Sequence, residues 1–267
     1  REFEAGTVWG TQNVVAACLK HAPRRLVHVS SLSVLDHAGR DASRPITEQS
    51  ALEPHPERRG AYTQTKGTAE ACVLDAIARG KLAAVVIRPG QIFGPGAEAT
   101  TPNGTLALAG RWIAVGSTAR TIPLVYIDDV VDALLLAADN PAAEGHVFNV
   151  VDPAPVTQQQ YLDACRRMRG GELRLTRAPT WVFLALAMGV ELLGAALKRP
   201  VPLTRYRVRS LRPLDNFDLS AARDILGWQP RVGVQRGLET TFGAESSAVD
   251  TPAIDTCSAA GMSERDS

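Results

Sequence analysis

The chain has 267 residues, of which 45% are hydrophobic, and its formal net charge is +1 at pH 7. This length accommodates one α/β domain with a small second lobe, and the near-neutral charge supplies no general basic field for nucleic acid. The four cysteines are dispersed and form no CxxC or Cys/His cluster. We therefore expect a cytoplasmic protein with reduced thiols, no metal site and no nucleic-acid partner.

Helices and strands alternate in the first half of the sequence. Residues 7–21 have an apolar helical face, and residues 25–30 form a short run typical of a strand. A polar, proline-rich loop at 36–59 precedes a second helix at 61–79, and the apolar run at 83–87 predicts a buried strand. Strand, helix and strand at this spacing form a βαβ unit, which predicts a parallel sheet with right-handed crossovers.

The alternation continues in the second half, after a connection rich in glycine and proline. The fourth of the predicted helices opens with Thr157-x-x-Gln160, the pattern of a capping box. The predicted elements are strands at 123–126 and 146–151 and helices at 128–139, 157–169 and 218–226.

Candidate catalytic residues follow the first strand and open the second helix. Tyr62 and Lys66 lie four residues apart at the start of that helix, so their side chains share one face. A free tyrosine has a pKa of about 10, and a nearby ammonium together with the positive end of a helix lowers that pKa toward neutrality. Ser31 follows the strand at the carboxyl edge of the sheet, where open α/β sheets bind ligands. This arrangement predicts that Ser31 holds a substrate oxygen while Tyr62 exchanges its proton.

The order of these features is more specific than any one of them. A Tyr-x-x-x-Lys pair alone is usually a solvated helix face, and two serines after a strand usually form a turn. Here a strand ends in Ser30-Ser31, a proline-rich loop follows, a helix opens with YTQTK, and a further strand ends in RPG. The ordered combination favours a catalytic site over a solvated surface.

Five segments of the chain resemble the extended short-chain dehydrogenases, the NAD-dependent epimerase/dehydratase group. They read VHVSSLSVL, PITEQSALEPHPERRGAYTQTKGTAE, VVIRPGQIFGPG, LVYIDDVVDALLLAA and FDLSAARDILGWQP. The resemblance covers nearly the whole chain up to residue 242. It implies a small-molecule substrate, NAD or NADP as the cofactor, and a homodimer formed through the helices on either side of Ser31.

The resemblance also implies a role for each candidate residue. Tyr62 is the acid/base, and Lys66 lowers its pKa and binds the nicotinamide ribose. Ser31, three residues before a valine as in the family's SSxxV pattern, is the third member, with Ser30 as its alternative. Hydride then moves between the substrate carbon and the nicotinamide. The cofactor-binding residues implied are Ser30, Tyr62, Lys66, Pro89, Gly90 and Ile92.

The chain departs from the family pattern at two places. It contains no GxxGxxG turn, which in the family follows the first strand and receives the pyrophosphate at a helix N-terminus. Thr7 stands where the related helix has an asparagine that supports the water network of the active site. We therefore expect an N-terminally truncated chain that lacks the first four strands of the dinucleotide-binding half, so that the strand at 25–30 forms an exposed edge.

The predicted fold is α/β: a partial Rossmann-type doubly wound parallel sheet that lacks its first strands and carries a small C-terminal substrate lobe. Residues 1–170 are predicted to be the C-terminal part of an NAD(P)-binding Rossmann domain. Residues 171–243 are the predicted substrate-binding lobe, and 244–267 a disordered tail. Asp128, in preference to Asp129, is expected to be the family's structural carboxylate at a helix start.

The most apolar stretch of the chain lies at 181–197. Glu191 interrupts it, and Lys198-Arg199 follow it. A membrane span needs about 20 largely apolar residues and disfavours a charge at its centre. The preferred interpretation is a buried or partly exposed helix of the lobe, and the alternative is a monotopic membrane contact that takes up a lipophilic substrate.

The lobe also bears on the substrate. Arg205-x-Arg207-x-Arg209 is interpreted as a strand with three arginines on one side, which could bind the diphosphate of a sugar nucleotide or form a solvated edge. In contrast, PTWVFLALAMGVELLG and the segment before LVYIDD resemble the 3β-hydroxysteroid dehydrogenase branch. We expect an NAD(P)-dependent oxidoreductase acting on a secondary alcohol or ketone of a lipophilic, steroid-like substrate. The alternatives are a sugar-nucleotide epimerase/dehydratase and a non-catalytic binding protein of the same fold.

Overall fold

The computed structural model describes residues 4–96, 101–108, 110–168, 173–199, 201 and 203–242, and within them helices and strands alternate. The strands are β1 (Leu26–Val29), β2 (Ala84–Pro89), β3 (Gln91–Phe93), β4 (Thr105–Leu108), β5 (Arg111–Val115), β6 (Leu124–Tyr126), β7 (Val147–Val150) and β8 (Arg174–Ala178). The α-helices are α1 (Gly10–His21), α2 (Pro56–Arg59), α3 (Ala61–Ala78), α4 (Ile127–Asp139), α5 (Gln158–Met168), α6 (Thr180–Leu197), α7 (Arg205–Ser210) and α8 (Gly233–Phe242). Short π-helical turns lie at Glu4–Trp9 and Ala222–Leu226, and 3₁₀ turns at Leu32–Val34 and Pro141–Ala143.

The main sheet is parallel, with the strand order β1-β2-β7, and a second parallel pair is formed by β3 and β6. Every residue of β2 is buried, as expected for a central strand covered by helices on both faces. Among the described strands, β1 pairs with β2 alone, so it is the edge that the sequence predicted. The α/β class and the parallel order of the strands are confirmed.

A three-stranded sheet extends from this core. In it, β5 pairs antiparallel with β4 and parallel with β8. The predicted lobe boundary near residue 170 lies outside the described residues and stays a prediction, but β4 and β5 precede it and β8 follows it. The predicted disordered tail at 244–267 also lies outside the described residues.

Local sequence signals explain how several elements begin. Thr157 and Gln160 form the predicted capping box at the start of α5: the Thr157 amide donates to Gln160 Oε1 at 2.8 Å, and the Gln160 amide to Thr157 Oγ1 at 3.2 Å. α5 and α8 then pack an aromatic cluster against β3 and β6. Its rings meet edge to face, and they belong to Phe93, Tyr126, Tyr161 and Phe242.

The predicted arginine strand at 205–209 is wrong. Arg205–Ser210 form α7, because Thr204 caps the segment by accepting a hydrogen bond from the Arg207 amide at 3.2 Å. A helix spreads alternate residues around its axis, so the three arginines do not share the face that a strand would give them. Arg205 binds Glu191, and Arg207 donates to the carbonyl of Arg58.

The predicted helix at 181–197 is present as α6, which begins at Thr180. By length and composition, it is the one helix in the described part of the chain that could cross a membrane. Only 11% of its 18-residue window is buried inside the protein. It is therefore partly exposed rather than a core helix.

Candidate active site

The carboxyl end of β1 brings the two candidate serines to the edge of the main sheet. Ser30 continues the strand pairing by donating its amide to the Ile87 carbonyl at 2.8 Å, and its side chain is buried. Its Oγ has no hydrogen-bond partner among the described residues. Ser31 has extended backbone and caps the following 3₁₀ turn, because its Oγ accepts from the Ser33 amide at 3.2 Å. Ser30 thus carries a buried polar atom that lacks a protein partner, which is a common feature of ligand sites.

The two other candidate residues lie on α3, directly beside this strand end. Lys66 Nζ donates to the carbonyl of Val29, the last residue of β1, at 2.9 Å. Burial lowers the pKa of Lys66 from its usual value. Tyr62 lies one turn earlier on α3 and has 47% of its surface exposed. The structure therefore places the ammonium at the strand end that carries both serines, with an accessible phenol one helical turn away.

The three residues expected on the nicotinamide side continue from β2 into β3. Pro89 ends β2 and is buried, and Ile92 pairs with Val125 and packs on the core around β2 and β7. Gly90 is required for packing, since a Cβ there would lie 2.3 Å from the Pro123 carbonyl oxygen. All three therefore have a structural role, and their contact with a cofactor stays a prediction.

A buried polar network ties the loop after Ser31 to the C-terminal lobe. Arg59 Nη1 donates to the Ser33 carbonyl at 2.8 Å and lies 3.6 Å from the Glu53 carboxylate. The Tyr206 hydroxyl donates to the same carboxylate, and burial together with that carboxylate raises the pKa of Tyr206. The sequence analysis did not predict this network, because Glu53 and Tyr206 are far apart in the chain and belong to no common motif.

A cavity of about 260 Å³ opens between the first turn of α3 and the lobe. Thr63, the neighbour of Tyr62, lines it together with Leu106 of β4. The lobe contributes mainly apolar side chains, among them Leu203, Val208 and Leu211. Four of the eight lining residues are polar, so the cavity combines apolar surface with polar groups that could orient a small molecule.

Comparison with known proteins places this arrangement in a family. The family model described as "NAD dependent epimerase/dehydratase family" matches residues 2–150, more than half of the chain. The chain belongs to this family. The match includes the strand end, the Tyr62/Lys66 pair and β2, so the resemblance stated from the sequence is confirmed.

Several known proteins are similar over most of the chain. A 3β-hydroxysteroid-dehydrogenase/decarboxylase of Arabidopsis thaliana is 31% identical over 250 residues, covering 88% of this chain and 56% of that protein. A 2-alkyl-3-oxoalkanoate reductase of Stenotrophomonas maltophilia is 30% identical, covering 88% and 73%. The crystal structure of gox2253 has the same fold with a TM-score of 0.72 at 20% identity, covering 90% and 71%. The chain spans little more than half the length of its plant relative.

The residues at the β1 end fit one part of the family's dinucleotide. The buried Ser30 hydroxyl and the Lys66 ammonium are hydrogen-bond donors of the kind that ribose and carboxamide oxygens accept. The sequence has no GxxGxxG turn to receive a pyrophosphate. The fit therefore concerns the nicotinamide-ribose end of the cofactor.

The structural carboxylate at the start of α4 is Asp129, and the prediction of Asp128 is wrong. Asp128 is exposed, whereas Asp129 is fully buried. Asp129 accepts hydrogen bonds of 2.7–2.9 Å from three consecutive amides that lead into α8 (Arg231, Val232 and Gly233). One residue along a helix turns a side chain by about 100°, and the adjacent pair in the sequence does not reveal which one faces inward.

Proposed function

We propose that this chain carries the proton-transfer site of an NAD-dependent oxidoreductase that acts on a secondary alcohol or ketone of a lipophilic substrate. The observation that carries the proposal is the hydrogen bond from Lys66 to the Val29 carbonyl, which fixes the ammonium beside Ser30 and Ser31. The names of the plant and bacterial relatives, which describe a hydroxysteroid dehydrogenase and an oxoalkanoate reductase, support the substrate class.

Each residue has a defined task in this proposal. Ser31 holds the substrate oxygen by a hydrogen bond, and Tyr62 takes or returns the proton of that oxygen. Lys66 stabilises the phenolate by its charge, and the buried Ser30 hydroxyl forms a hydrogen bond with the cofactor. When bound, the nicotinamide supplies the hydride chemistry.

The cavity beside Thr63 supports a lipophilic substrate over a sugar nucleotide. A diphosphate needs charged donors that are available to it. Arg59 lines the cavity but already pairs with the Glu53 carboxylate, which offsets its charge, and Arg207 donates one of its five N–H groups to the Arg58 carbonyl. Leu203 and Val208 provide apolar surface instead.

The test is turnover of a 3β-hydroxysteroid with NAD by the full reading frame that contains this chain, followed by NADH fluorescence, with Tyr62→Phe and Lys66→Met as variants. Loss of an acid/base group lowers turnover by about 10²–10⁴-fold, and we expect Tyr62→Phe to fall in that range. Lys81→Met, at a lysine outside the site, is the matched control and should retain full activity. Equal turnover in wild type and Tyr62→Phe would refute the mechanism.

Two further measurements separate the alternatives. Turnover of a UDP-sugar in place of the steroid would support the epimerase/dehydratase alternative. Binding of a hydroxysteroid without any turnover, in a protein that also binds NAD, would support a non-catalytic role. Tight NAD binding by this chain alone, measured by calorimetry, would contradict the expectation that binding requires a GxxGxxG segment.

We also propose a cytoplasmic location and a homodimer. The location is supported by the described cysteines Cys18, Cys72 and Cys165, which are all free thiols. The dimer is supported by exposed apolar side chains on α1, Val14 and Leu19. A molar mass of one chain in light scattering at micromolar concentration would exclude the dimer.

A further inference from the structure

The polarity of α6 is opposite to that of an ordinary surface helix. Thr180 and Glu191 are its only polar residues. Glu191 is turned toward the protein, where its carboxylate accepts hydrogen bonds from the amide of Arg205 at 2.8 Å and from its Nε at 2.6 Å. A surface helix normally keeps its charges in water and its apolar stripe in the core. Beyond the exposed Thr180 at its first position, the exposed side of α6 carries only apolar side chains.

The outer side of α6 exposes six large apolar side chains. Trp181 and Leu192 are the most accessible, at 69% and 67%. Contiguous patches of this kind on a protein surface mark contact with a partner or a membrane. We call this surface the α6 face, and it consists of Trp181, Leu186, Met188, Leu192, Leu193 and Leu197.

The opposite side fastens α6 to the lobe. Ala187 and Gly194 are buried, and a Cβ on Gly194 would lie 2.3 Å from Val201 Cγ1. The Glu191–Arg205 pair adds a polar anchor to α7. The helix is therefore held between Ala187 and Gly194, which suits a helix lying in the plane of a surface better than one crossing a bilayer.

Charge around the α6 face identifies its partner. Lys198 and Arg199 follow α6 directly and are exposed. Between residues 173 and 213, Glu191 is the single acidic residue in the sequence, and it is already paired with Arg205. Basic residues beside an apolar helix face are complementary to anionic lipid headgroups.

The same charges disfavour a second copy of the chain on the α6 face. In a parallel pair, Lys198 and Arg199 would meet their own counterparts. In an antiparallel pair, they would meet the partner's helix N-terminus, which carries a positive partial charge. Either arrangement brings like charges together.

We propose that the α6 face docks onto an anionic lipid bilayer, with the helix lying at the interface and Lys198 and Arg199 at the headgroups. This contact is independent of the proposed reaction. It would bring a chain that acts on lipophilic substrates to the phase in which such molecules dissolve. It also gives the outward apolar side chains an environment free of water.

Co-sedimentation with vesicles tests this docking. We expect binding to phosphatidylcholine vesicles with about 30% phosphatidylserine and roughly 30-fold weaker binding to phosphatidylcholine alone, as two interfacial cations imply. Leu192→Gln with Leu193→Gln should weaken binding to the mixed vesicles about tenfold or more. Leu135→Gln, at an exposed leucine of α4, is the matched control and should bind as wild type.

A spectroscopic measurement locates the contact. Brominated lipids in the mixed vesicles should quench part of the tryptophan fluorescence, and Trp181→Phe should abolish that quenching. Quenching that persists in Trp181→Phe would overturn the proposal, as would equal binding to both vesicle types. Self-association without vesicles that Leu192→Gln with Leu193→Gln removes would assign the α6 face to a second copy instead.

Discussion

At the carboxyl end of β1, the polar groups point into the protein, and most of them form hydrogen bonds there. On α6, in contrast, one carboxylate points toward the protein and the large apolar side chains point outward. At the β1 end, Lys66 donates to a strand carbonyl, and the buried Ser30 hydroxyl has no partner within the part of the chain that the structure describes. The α6 face leaves Trp181 and Leu192 in solvent. Both regions are thus incomplete in the isolated chain, one in hydrogen bonding and the other in apolar burial.

The β1 end and the α6 face should therefore respond differently to mutation. Buried, bonded charges are costly to disturb, because removing one partner leaves the other desolvated and unpaired. Exposed apolar residues contribute little to folding, and their loss is felt only when a partner is present. Stability measurements can therefore distinguish structural residues near the site from residues kept for binding.

The largest expected effect is at the ion pair behind the site. Arg88 Nη2 and Glu70 Oε1 lie 2.6 Å apart, and both side chains are almost fully buried. Arg88→Met should destabilise the fold by about 3–5 kcal/mol, because Glu70 would remain as an unpaired buried carboxylate. Denaturant unfolding monitored by circular dichroism measures this loss.

The double variant Arg88→Met with Glu70→Leu is the control for this pair. It removes both charges, so it should recover most of the lost free energy of unfolding. A double variant as unstable as Arg88→Met alone would mean that the unpaired Glu70 carboxylate does not cause the loss of stability. Arg88 also donates to the Glu48 carbonyl, so full recovery is not expected.

The next effect is a pH dependence centred on His37. Burial and the nearby Arg59 guanidinium lower the pKa of His37 from 6.5 to about 4. Between these values the unfolded chain binds more protons than the folded one, so stability falls as the pH is lowered from 6.5 to 4. The loss from this residue should reach about 3 kcal/mol below pH 4.

Urea unfolding across this pH range measures the loss. His37→Gln should show a smaller decline than wild type, since only the carboxylates and the other histidines, among them the half-buried His28, then contribute. His21→Gln, on the surface of α1, is the matched control and should decline as wild type. Parallel curves for wild type and His37→Gln would show that His37 does not cause the decline.

A smaller effect is expected at the start of α4. Asp129→Ala leaves three partly buried amides without their acceptor and should cost about 2 kcal/mol. Asp128→Ala, at the exposed neighbour, should change the free energy of unfolding by less than about 0.5 kcal/mol. The reverse order in thermal unfolding would restore the sequence prediction of Asp128.

The fold around the candidate site could be predicted from sequence because its information is local. Tyr62 and Lys66 are four residues apart, and the helix cap at Thr157 is formed with Gln160, three residues later. The strand β8 was missed because its partner β5 lies some sixty residues away. The neighbouring strands β4 and β5 were missed because their sequences show no clear alternation of apolar and polar residues. The direction in which the Glu191 side chain points could not be predicted from the sequence either, because it depends on Arg205 in another helix.

The smallest expected change in the free energy of unfolding is on the α6 face. It tests directly whether this face differs from the β1 end. Leu192→Gln should change the free energy of unfolding by less than about 0.5 kcal/mol, because this side chain is already exposed in the folded chain. Glu191→Gln should cost more, since Arg205 would lose its ionic partner. Thermal unfolding of both variants without lipid measures the difference. A Leu192→Gln variant less stable than Glu191→Gln would mean that the α6 face is packed within the folded protein, and the contrast with the β1 end would fail.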